Sequence, residues 1–205
     1  MMTLPNILTL FRILLTPVFI ICLFEDFNGA QTWALIIFIL ASITDAYDGY
    51  YARKNDMVTD TGRFLDPLAD KILVSSAFIS FSIMGLIDFW MVGLIIFRDL
   101  FVTSLRIIMT SNGFTMMTST IAKSKTTLQI IMIIFTLIFL SISRYDFPVF
   151  HSIIKYIVEF ELIYYLTMLV SIFTIYTGLA YVCLLYTSDA ADDTPCVDLG
   201  GRRII

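Results

Sequence analysis

Four aspartates in the first half of the chain have spacings that would bring their carboxylates together. Asp45 and Asp48 are three residues apart, and Asp66 and Asp70 are four apart. On helices, both spacings put the two side chains on one face. Four ionised carboxylates held close together repel one another unless some are protonated or cations lie between them. The pattern therefore predicts a cation site, and two divalent ions would balance its charge.

The neighbouring residues favour phosphate chemistry at this site. Ligand sets made only of oxygen suit hard ions such as Mg²⁺ or Mn²⁺ rather than zinc. Paired metal ions promote phosphoryl displacement because they stabilise both the attacking and the leaving oxygen. Arg53 adds a cation that complements phosphate. Gly49 would let a ligand approach the backbone, Ala52 keeps the next turn small, and Gly62 relaxes the chain between the two aspartate pairs.

The composition is that of a membrane protein. The 205 residues are 59% hydrophobic and 15% charged, with a mean hydropathy of +0.89; soluble domains are about 45–50% apolar and about 25% charged. Charge at membrane depth is costly and usually functional. The alternative, solvated loop charges, fits Asp56, Asp60 and Lys54, but fits Asp45 poorly because Asp45 continues a long apolar helix.

Hydropathy predicts an all-α integral membrane protein with six transmembrane helices in one domain, residues 1–182. A helix crosses a bilayer with about 20 apolar residues. The predicted spans are approximately 7–24, 32–51, 67–87, 89–111, 125–143 and 157–182. The connections after the second and fourth spans are rich in Lys and Arg, which predicts that the aspartates and both termini are cytoplasmic. Arg144 and Lys155, in the connection before the last span, do not follow this distribution.

The last residues differ in character from the rest. Residues 183–205 are polar and acidic, and their first part resembles one reading frame of a transposase adapter used in DNA library preparation. We expect this segment to be a non-native extension or, alternatively, a disordered cytoplasmic tail, and exclude it from the fold.

The aspartate pattern also resembles the signature of a known family. Asp45-x2-Asp48-Gly49-x2-Ala52-Arg53-x8-Gly62-x3-Asp66-x3-Asp70 is similar to that of the CDP-alcohol phosphatidyltransferases, with every specified position present. The resemblance implies that the four aspartates hold two Mg²⁺ or Mn²⁺ ions, which bind the diphosphate of CDP-diacylglycerol, and that Asp70 deprotonates the acceptor hydroxyl. It further implies a six-helix, homodimeric bundle in the bacterial plasma membrane, with its active site facing the cytoplasm. The implied CDP-diacylglycerol contacts are Asp45, Asp48, Gly49, Ala52, Arg53 and Gly62.

Three other segments resemble family members that use glycerol 3-phosphate as acceptor. They are Leu4-Pro5-Asn6-Ile7-Leu8-Thr9-Leu10-Phe11-Arg12, Arg98-Asp99-x6-Arg106 and Ile121-Ala122-Lys123-Ser124-Lys125-Thr126-Thr127. A phosphorylated acceptor needs cations, whereas a neutral amino-alcohol does not. The predicted acceptor-phosphate residues are Asn6, Thr9, Arg12, Arg98, Arg106, Lys123 and Lys125. The simpler interpretations are a capped helix with Arg12 snorkelling, basic residues that only set topology, and Asp99 paired with an arginine.

Two further hypotheses stay open at this point. A sister enzyme of the family would use phosphatidylglycerol, inositol phosphate or serine as acceptor. A divalent-cation channel or transporter would explain the carboxylates, but not Arg53 or the basic residues. No nucleic-acid partner is expected, and the sequence contains neither a nucleotide-binding Gly-rich loop nor a nucleophile elbow.

Overall fold

The described residues form a helical bundle. The computed structural model describes the backbone of residues 4–27, 29–54, 60–111, 120–145 and 148–192, and the side chains of residues 10–27, 29–44, 71–109, 124–145 and 149–183. Within these ranges there are seven α-helices, a 3₁₀ turn at Pro148–Phe150, and no strand. The helices are α1 (Leu4–Phe24), α2 (Ala30–Lys54), α3 (Asp60–Ile83), α4 (Phe89–Ser111), α5 (Thr120–Arg144), α6 (His151–Glu159) and α7 (Leu162–Asp192).

The first five predicted spans overlap α1–α5, and the largest difference is at the start of α3, which begins at Asp60 instead of residue 67. The predicted span 67–87 ends early because the helix stops at Ile83. Gly85 adopts φ +75°, and the Leu86 N–H donates to the Phe81 carbonyl at 3.0 Å. This is the glycine-terminated helix end in which a left-handed residue satisfies the last carbonyls.

The sixth predicted span, 157–182, is divided between two helices. Its first residues belong to the short helix α6, and α7 begins at Leu162 after Glu161, whose φ is +46°. Ile154 and Ile157 are half-buried on α6 while its charged residues are exposed, so α6 is an amphipathic helix that was not predicted. Residue 182, the predicted domain boundary, lies within α7, and the division there stays a prediction.

The core is built from small and aromatic side chains. Helix α1 packs on α2 and α3, α2 on α5, and α7 on α4 and α5. Ala34, Ala41 and Ala77 are fully buried, which lets the α1–α3 backbones approach closely. Phe19 and Phe38 fill the space beside them, with ring centroids 5.7 Å apart.

The outside of the bundle is apolar. Large apolar side chains that are at least 60% exposed occur on α1, α2, α4 and α7, including Leu14, Ile43, Phe97 and Leu179. Among the described residues, Ser124–Arg144 and Leu162–Cys183 are long and apolar enough to cross a bilayer, and shorter apolar stretches lie on α1, α2 and α3. Exposed apolar surface of this extent indicates a membrane protein. Helix α4 carries three charged residues, Arg98, Asp99 and Arg106, within its otherwise apolar sequence.

The connections at one end of the bundle are tied together by polar contacts. Arg144 at the end of α5 forms a 2.6 Å ion pair with Asp26, which follows α1. Asp88, before α4, accepts hydrogen bonds from Trp90 (3.0 Å) and from Tyr164 of α7 (3.2 Å). The aspartate motif lies at the other end, since it flanks the α2–α3 connection. Arg144, one of the two residues that do not follow the predicted charge distribution, therefore has a local counter-ion.

Candidate functional site

The aspartate motif occupies the ends of two consecutive helices. Asp45 and Asp48 lie in the last ten residues of α2, and Asp66 and Asp70 lie in the first eleven of α3. Because only residues 55–59 separate the two helices, covalent geometry keeps the adjoining helix ends within about 20 Å of each other. Gly49, Ala52 and Arg53 also lie on α2, and Gly62 on α3; the side chains of these residues and of the aspartates lie outside the described part.

The chemistry of this donor set fits hard divalent ions. Both pairs lie within helices, α2 and α3, where residues three or four positions apart lie on the same side of the helix. Carboxylate oxygens are the ligands that Mg²⁺ and Mn²⁺ prefer. Among the side chains that the structure describes, no group of three or more His, Cys, Asp or Glu residues could hold a metal ion. The aspartate motif thus stays the candidate metal site, and its ligand set stays a prediction.

A second group of charges lies in the interior of the bundle, next to this motif in sequence. Lys71 directly follows Asp70 on α3 and shares a buried carboxylate, Asp99 of α4, with Arg98 and Lys125. We call these three cations and Asp99 the basic cluster. The Lys125 side chain is 2% exposed and that of Asp99 is 8% exposed. Three cations and one carboxylate give the basic cluster a net charge of +2.

Both carboxylate oxygens of Asp99 are engaged. Oδ1 accepts a hydrogen bond from Nζ of Lys125 and lies 3.4 Å from Nη1 of Arg98. Oδ2 accepts a hydrogen bond from Nε2 of Gln129 at 3.4 Å and lies 4.0 Å from Nζ of Lys71. Buried charges in proteins are normally paired in this way, because an isolated one is very costly. Asp99 thereby joins α3, α4 and α5.

Helix α7 is the fourth helix that contacts the basic cluster. Nη2 of Arg98 donates a hydrogen bond to Oγ1 of Thr177 at 3.1 Å. A Cβ added at Gly178 would lie 2.9 Å from Cγ of Arg98 and 3.2 Å from its Nε. The missing side chain at Gly178 is therefore what lets the Arg98 chain lie against α7.

The remaining predicted acceptor residues are distributed over α1, α4 and α5. Arg12 of α1 is buried, so its side chain lies in the bundle interior instead of snorkelling. Arg106 is exposed near the end of α4. The side chains of Asn6, Thr9 and Lys123 lie outside the described part, although their backbones are helical. Of the seven, the structure brings Arg98 and Lys125 together at Asp99, and Asp99 does pair with an arginine as one interpretation held.

Sequence reasoning missed four members of this environment, Lys71, Gln129, Thr177 and Gly178. Lys71 could have been found from its position beside Asp70, and Gln129 from its spacing of four residues from Lys125, which puts both on one helix face. Thr177 and Gly178 carry no comparable signal, because they lie far from Arg98 in sequence and depend on how α7 packs.

Comparison with known proteins covers most of the chain. Residues 2–176 match the family model described as CDP-alcohol phosphatidyltransferase. The chain is 43% identical over 143 residues to the CDP-diacylglycerol–glycerol-3-phosphate 3-phosphatidyltransferase of Bacillus subtilis (strain 168), covering 64% of this chain and 74% of the relative. A protein of the same name from Wigglesworthia glossinidia brevipalpis is 39% identical over 144 residues, covering 64% and 75%.

A third relative aligns with this chain over fewer residues. It is a Mycobacterium tuberculosis (strain CDC 1551 / Oshkosh) protein named "Probable phosphatidylglycerophosphate synthase", 43% identical over 113 residues. The alignment covers 54% of this chain and 54% of the relative, so the chain spans about half the length of that protein.

Replacing Gly178 tests the close approach of Arg98 to α7. We expect Gly178→Ala to destabilise the purified protein by about 1–3 kcal/mol, because the new methyl group overlaps Cγ of the partly buried Arg98 side chain. The matched control is Gly93→Ala on α4, where an added Cβ has nothing within 4 Å; this change should be neutral or stabilising by up to about 1 kcal/mol, since alanine favours the helix. Thermal unfolding in detergent measures both, and equal melting temperatures would contradict the packing of Arg98 on Gly178.

Proposed function

The chain belongs to the CDP-alcohol phosphatidyltransferase family, and from this premise we propose that it transfers the phosphatidyl group of CDP-diacylglycerol to sn-glycerol 3-phosphate. The products are phosphatidylglycerophosphate and CMP, and the reaction is a step of phospholipid biosynthesis. The names of the Bacillus and Wigglesworthia relatives support this reaction. The observation that carries the choice of acceptor is the buried, positively charged cluster around Asp99.

The donor half of the proposed site is the aspartate motif. Asp45, Asp48, Asp66 and Asp70 would hold two divalent ions, Mg²⁺ or Mn²⁺. When bound, such ions supply neutralisation of the diphosphate and stabilisation of the charge that develops on its oxygens. The residues proposed to line the rest of the CDP-diacylglycerol site are Gly49, Ala52, Arg53 and Gly62.

Asp70 is the proposed general base. Its carboxylate takes the proton from the 1-hydroxyl of glycerol 3-phosphate, which makes that oxygen a better nucleophile. The oxygen attacks the phosphorus that carries the diacylglycerol. The bond from this phosphorus to the bridging oxygen of the diphosphate breaks, and the electron pair leaves with CMP.

The acceptor half is the basic cluster. Its net charge of +2 complements a phosphate monoester, which carries close to two negative charges at neutral pH. Nε of Arg98 is buried and has no hydrogen-bond partner in the described part of the chain, so its N–H can donate a hydrogen bond to a phosphate oxygen. Arg and Lys groups in such a position bind phosphate by charge-assisted hydrogen bonds. Asn6, Thr9, Arg12, Arg106 and Lys123 are proposed as further acceptor contacts.

The proposed setting is the bacterial plasma membrane. Six spans, α1–α5 and α7, would cross it as one domain of residues 1–182, with residues 183–205 as an extension outside that domain. The aspartate motif and both termini would face the cytoplasm, where the basic connections lie, and two copies would form a homodimer. This location lets a lipid donor meet a water-soluble acceptor at the interface.

The rivals differ in observable products. A sister enzyme would release CMP with phosphatidylglycerol, inositol phosphate or serine. A divalent-cation channel or transporter would move metal ions without releasing CMP. The basic cluster favours a phosphorylated acceptor over serine, because a neutral hydroxyl would leave its charge unbalanced.

Removal of the base should nearly abolish turnover. We expect Asp70→Asn to lower kcat on the order of 10²–10⁴-fold, because the amide cannot accept the hydroxyl proton. Asp60→Asn, an equal change on the same helix outside the motif, should retain activity. CMP release from CDP-diacylglycerol measures both, with EDTA abolishing wild-type release and added Mg²⁺ or Mn²⁺ restoring it. Wild-type rates in Asp70→Asn would contradict the base role.

The choice of acceptor is tested by assaying several candidate acceptors. Purified wild-type protein should release CMP with glycerol 3-phosphate and not with phosphatidylglycerol, inositol phosphate or serine.

The role of the basic cluster is tested by removing one of its charges. Lys125→Met should lower kcat/KM for glycerol 3-phosphate about 30-fold or more, because a buried charge contact to the phosphate is lost. Lys155→Met, on the exposed face of α6, is the control and should behave as wild type. CMP release with another acceptor alone would refute the assignment, and metal flux in proteoliposomes without CMP release would favour a channel.

The proposed orientation predicts which cysteines react from outside. In a variant with Cys22, Cys183 and Cys196 changed to serine, Val149→Cys should be labelled by a membrane-impermeant maleimide in intact cells, since Val149 is 81% exposed before α6. Asn55→Cys, in the α2–α3 connection, should be labelled only after permeabilisation. The reverse pattern would place the aspartate motif on the outer side.

A further inference from the structure

Asp99 is a buried carboxylate to which the proposed reaction assigns no step. It lies on α4 and is 6% exposed. Three cations and an amide surround its carboxylate. Apolar residues of similar volume are often as stabilising as a buried ion pair, so the stability of the bundle does not by itself require a charge at this position.

The two oxygens of Asp99 face different parts of the proposed site. Oδ1 faces Arg98 and Lys125, the two cations that sequence reasoning assigned to the acceptor phosphate. Oδ2 faces Lys71 at 4.0 Å, and Lys71 is covalently attached to Asp70, the proposed base. The carboxylate of Asp99 therefore lies between the proposed phosphate-binding residues and helix α3. This helix carries the proposed base for the acceptor hydroxyl.

The negative charge of Asp99 is what allows the three cations to lie together. Like charges in a low-dielectric interior repel strongly, and Lys125 is too deeply buried to be screened by solvent. Without the negative charge of Asp99, the three cations would move apart. The positions of both the phosphate-binding groups and Lys71 would then change.

We infer that Asp99 is a positioning residue for the acceptor, which fixes Arg98 and Lys125 relative to the metal-binding helix α3 through Lys71. This inference rests on the proposed function. Asp99 does not touch the reacting atoms; it determines where the acceptor phosphate lies, and hence where the hydroxyl lies relative to Asp70. The expected signature is a defect in acceptor use without a matching defect in donor use.

The first experiment is Asp99→Asn, which keeps the shape and removes the charge. We expect the KM for glycerol 3-phosphate to rise on the order of tenfold, while the KM for CDP-diacylglycerol changes less than about twofold. Asp99→Glu keeps the charge and should recover part of the loss. The matched control is Asp88→Asn, an exposed aspartate at the opposite end of the bundle, which should leave both KM values unchanged. An unchanged or lower acceptor KM in Asp99→Asn would overturn the inference.

A second variant covers the case in which Asp99→Asn does not fold. Lys71 is partly exposed, with 20% of its side chain accessible, so Lys71→Gln is the milder change. We expect a rise in acceptor KM of about threefold to tenfold, and a double variant whose effect is smaller than the product of the single effects, because the two residues act as one unit. An unchanged acceptor KM in Lys71→Gln, or equal rises in both substrates' KM values together with a lowered melting temperature, would show a merely structural role.

The wild-type protein separates this inference from the proposed function. If wild type releases CMP only with an acceptor other than glycerol 3-phosphate, the proposed function is wrong. The same variants are then assayed with the acceptor that wild type does use. A selective change in the KM for that acceptor would still support positioning by Asp99, and no selective change would refute it.

Discussion

Charge buried in an apolar bundle is the constraint on which the arrangement of these helices depends. Asp99 engages Lys71, Arg98, Lys125 and Gln129, which come from α3, α4 and α5. Removing one partner of such a group typically costs about 3–5 kcal/mol, because the remaining charge has no solvent to stabilise it. Other rotations of α3 or α5 about their axes would present a similar amount of apolar surface to lipid. Such rotations would, however, move the charged side chains of these helices away from Asp99. Apolar surface alone therefore does not determine how each helix is rotated about its axis, whereas the contacts of the basic cluster do.

The two halves of the bundle pack by different means. Helices α1, α2 and α3 approach through alanines such as Ala34 and Ala77, with phenylalanine rings between them. In a lipid environment this close approach gains dispersion energy that lipid chains cannot supply equally. Helices α4 and α7 meet through a hydrogen bond from Arg98 to Thr177 and through the space left by Gly178. The α1–α3 contacts thus depend on apolar shape, whereas the α4–α7 contact also requires a particular polar pair.

Sequence reasoning predicted the parts of this structure that depend on local composition. The bounds of α1, α2, α4 and α5 follow from apolar runs interrupted by charge, and the end of α3 was misplaced because Gly85 stops the helix before the hydropathy falls. Helix α6 was missed because its apolar residues are few and merge with the following apolar run. For the candidate site, the aspartate spacing and the selection of Arg98 and Lys125 as acceptor candidates came from the sequence, and their roles stay predictions. Grouping them with Lys71 and Thr177 required the packing of four helices, which no spacing along one helix encodes.

The proposed chemistry explains why a rigid cation cluster serves better than flexible surface lysines. The phosphate of glycerol 3-phosphate is not altered when the phosphatidyl group is transferred to its 1-hydroxyl. Contacts to that phosphate are therefore similar in the bound substrate and the transition state, and by themselves lower KM without raising kcat. They accelerate the reaction only by holding the hydroxyl in a reactive orientation, for which the distance from the phosphate site to the base must be constant. Because Lys71 is bonded to Asp70 and also lies against Asp99, a shift of the cations relative to α3 would disturb the pairing of Asp99. Because separating these buried charges is energetically costly, the basic cluster keeps the distance between the phosphate site and Asp70 constant.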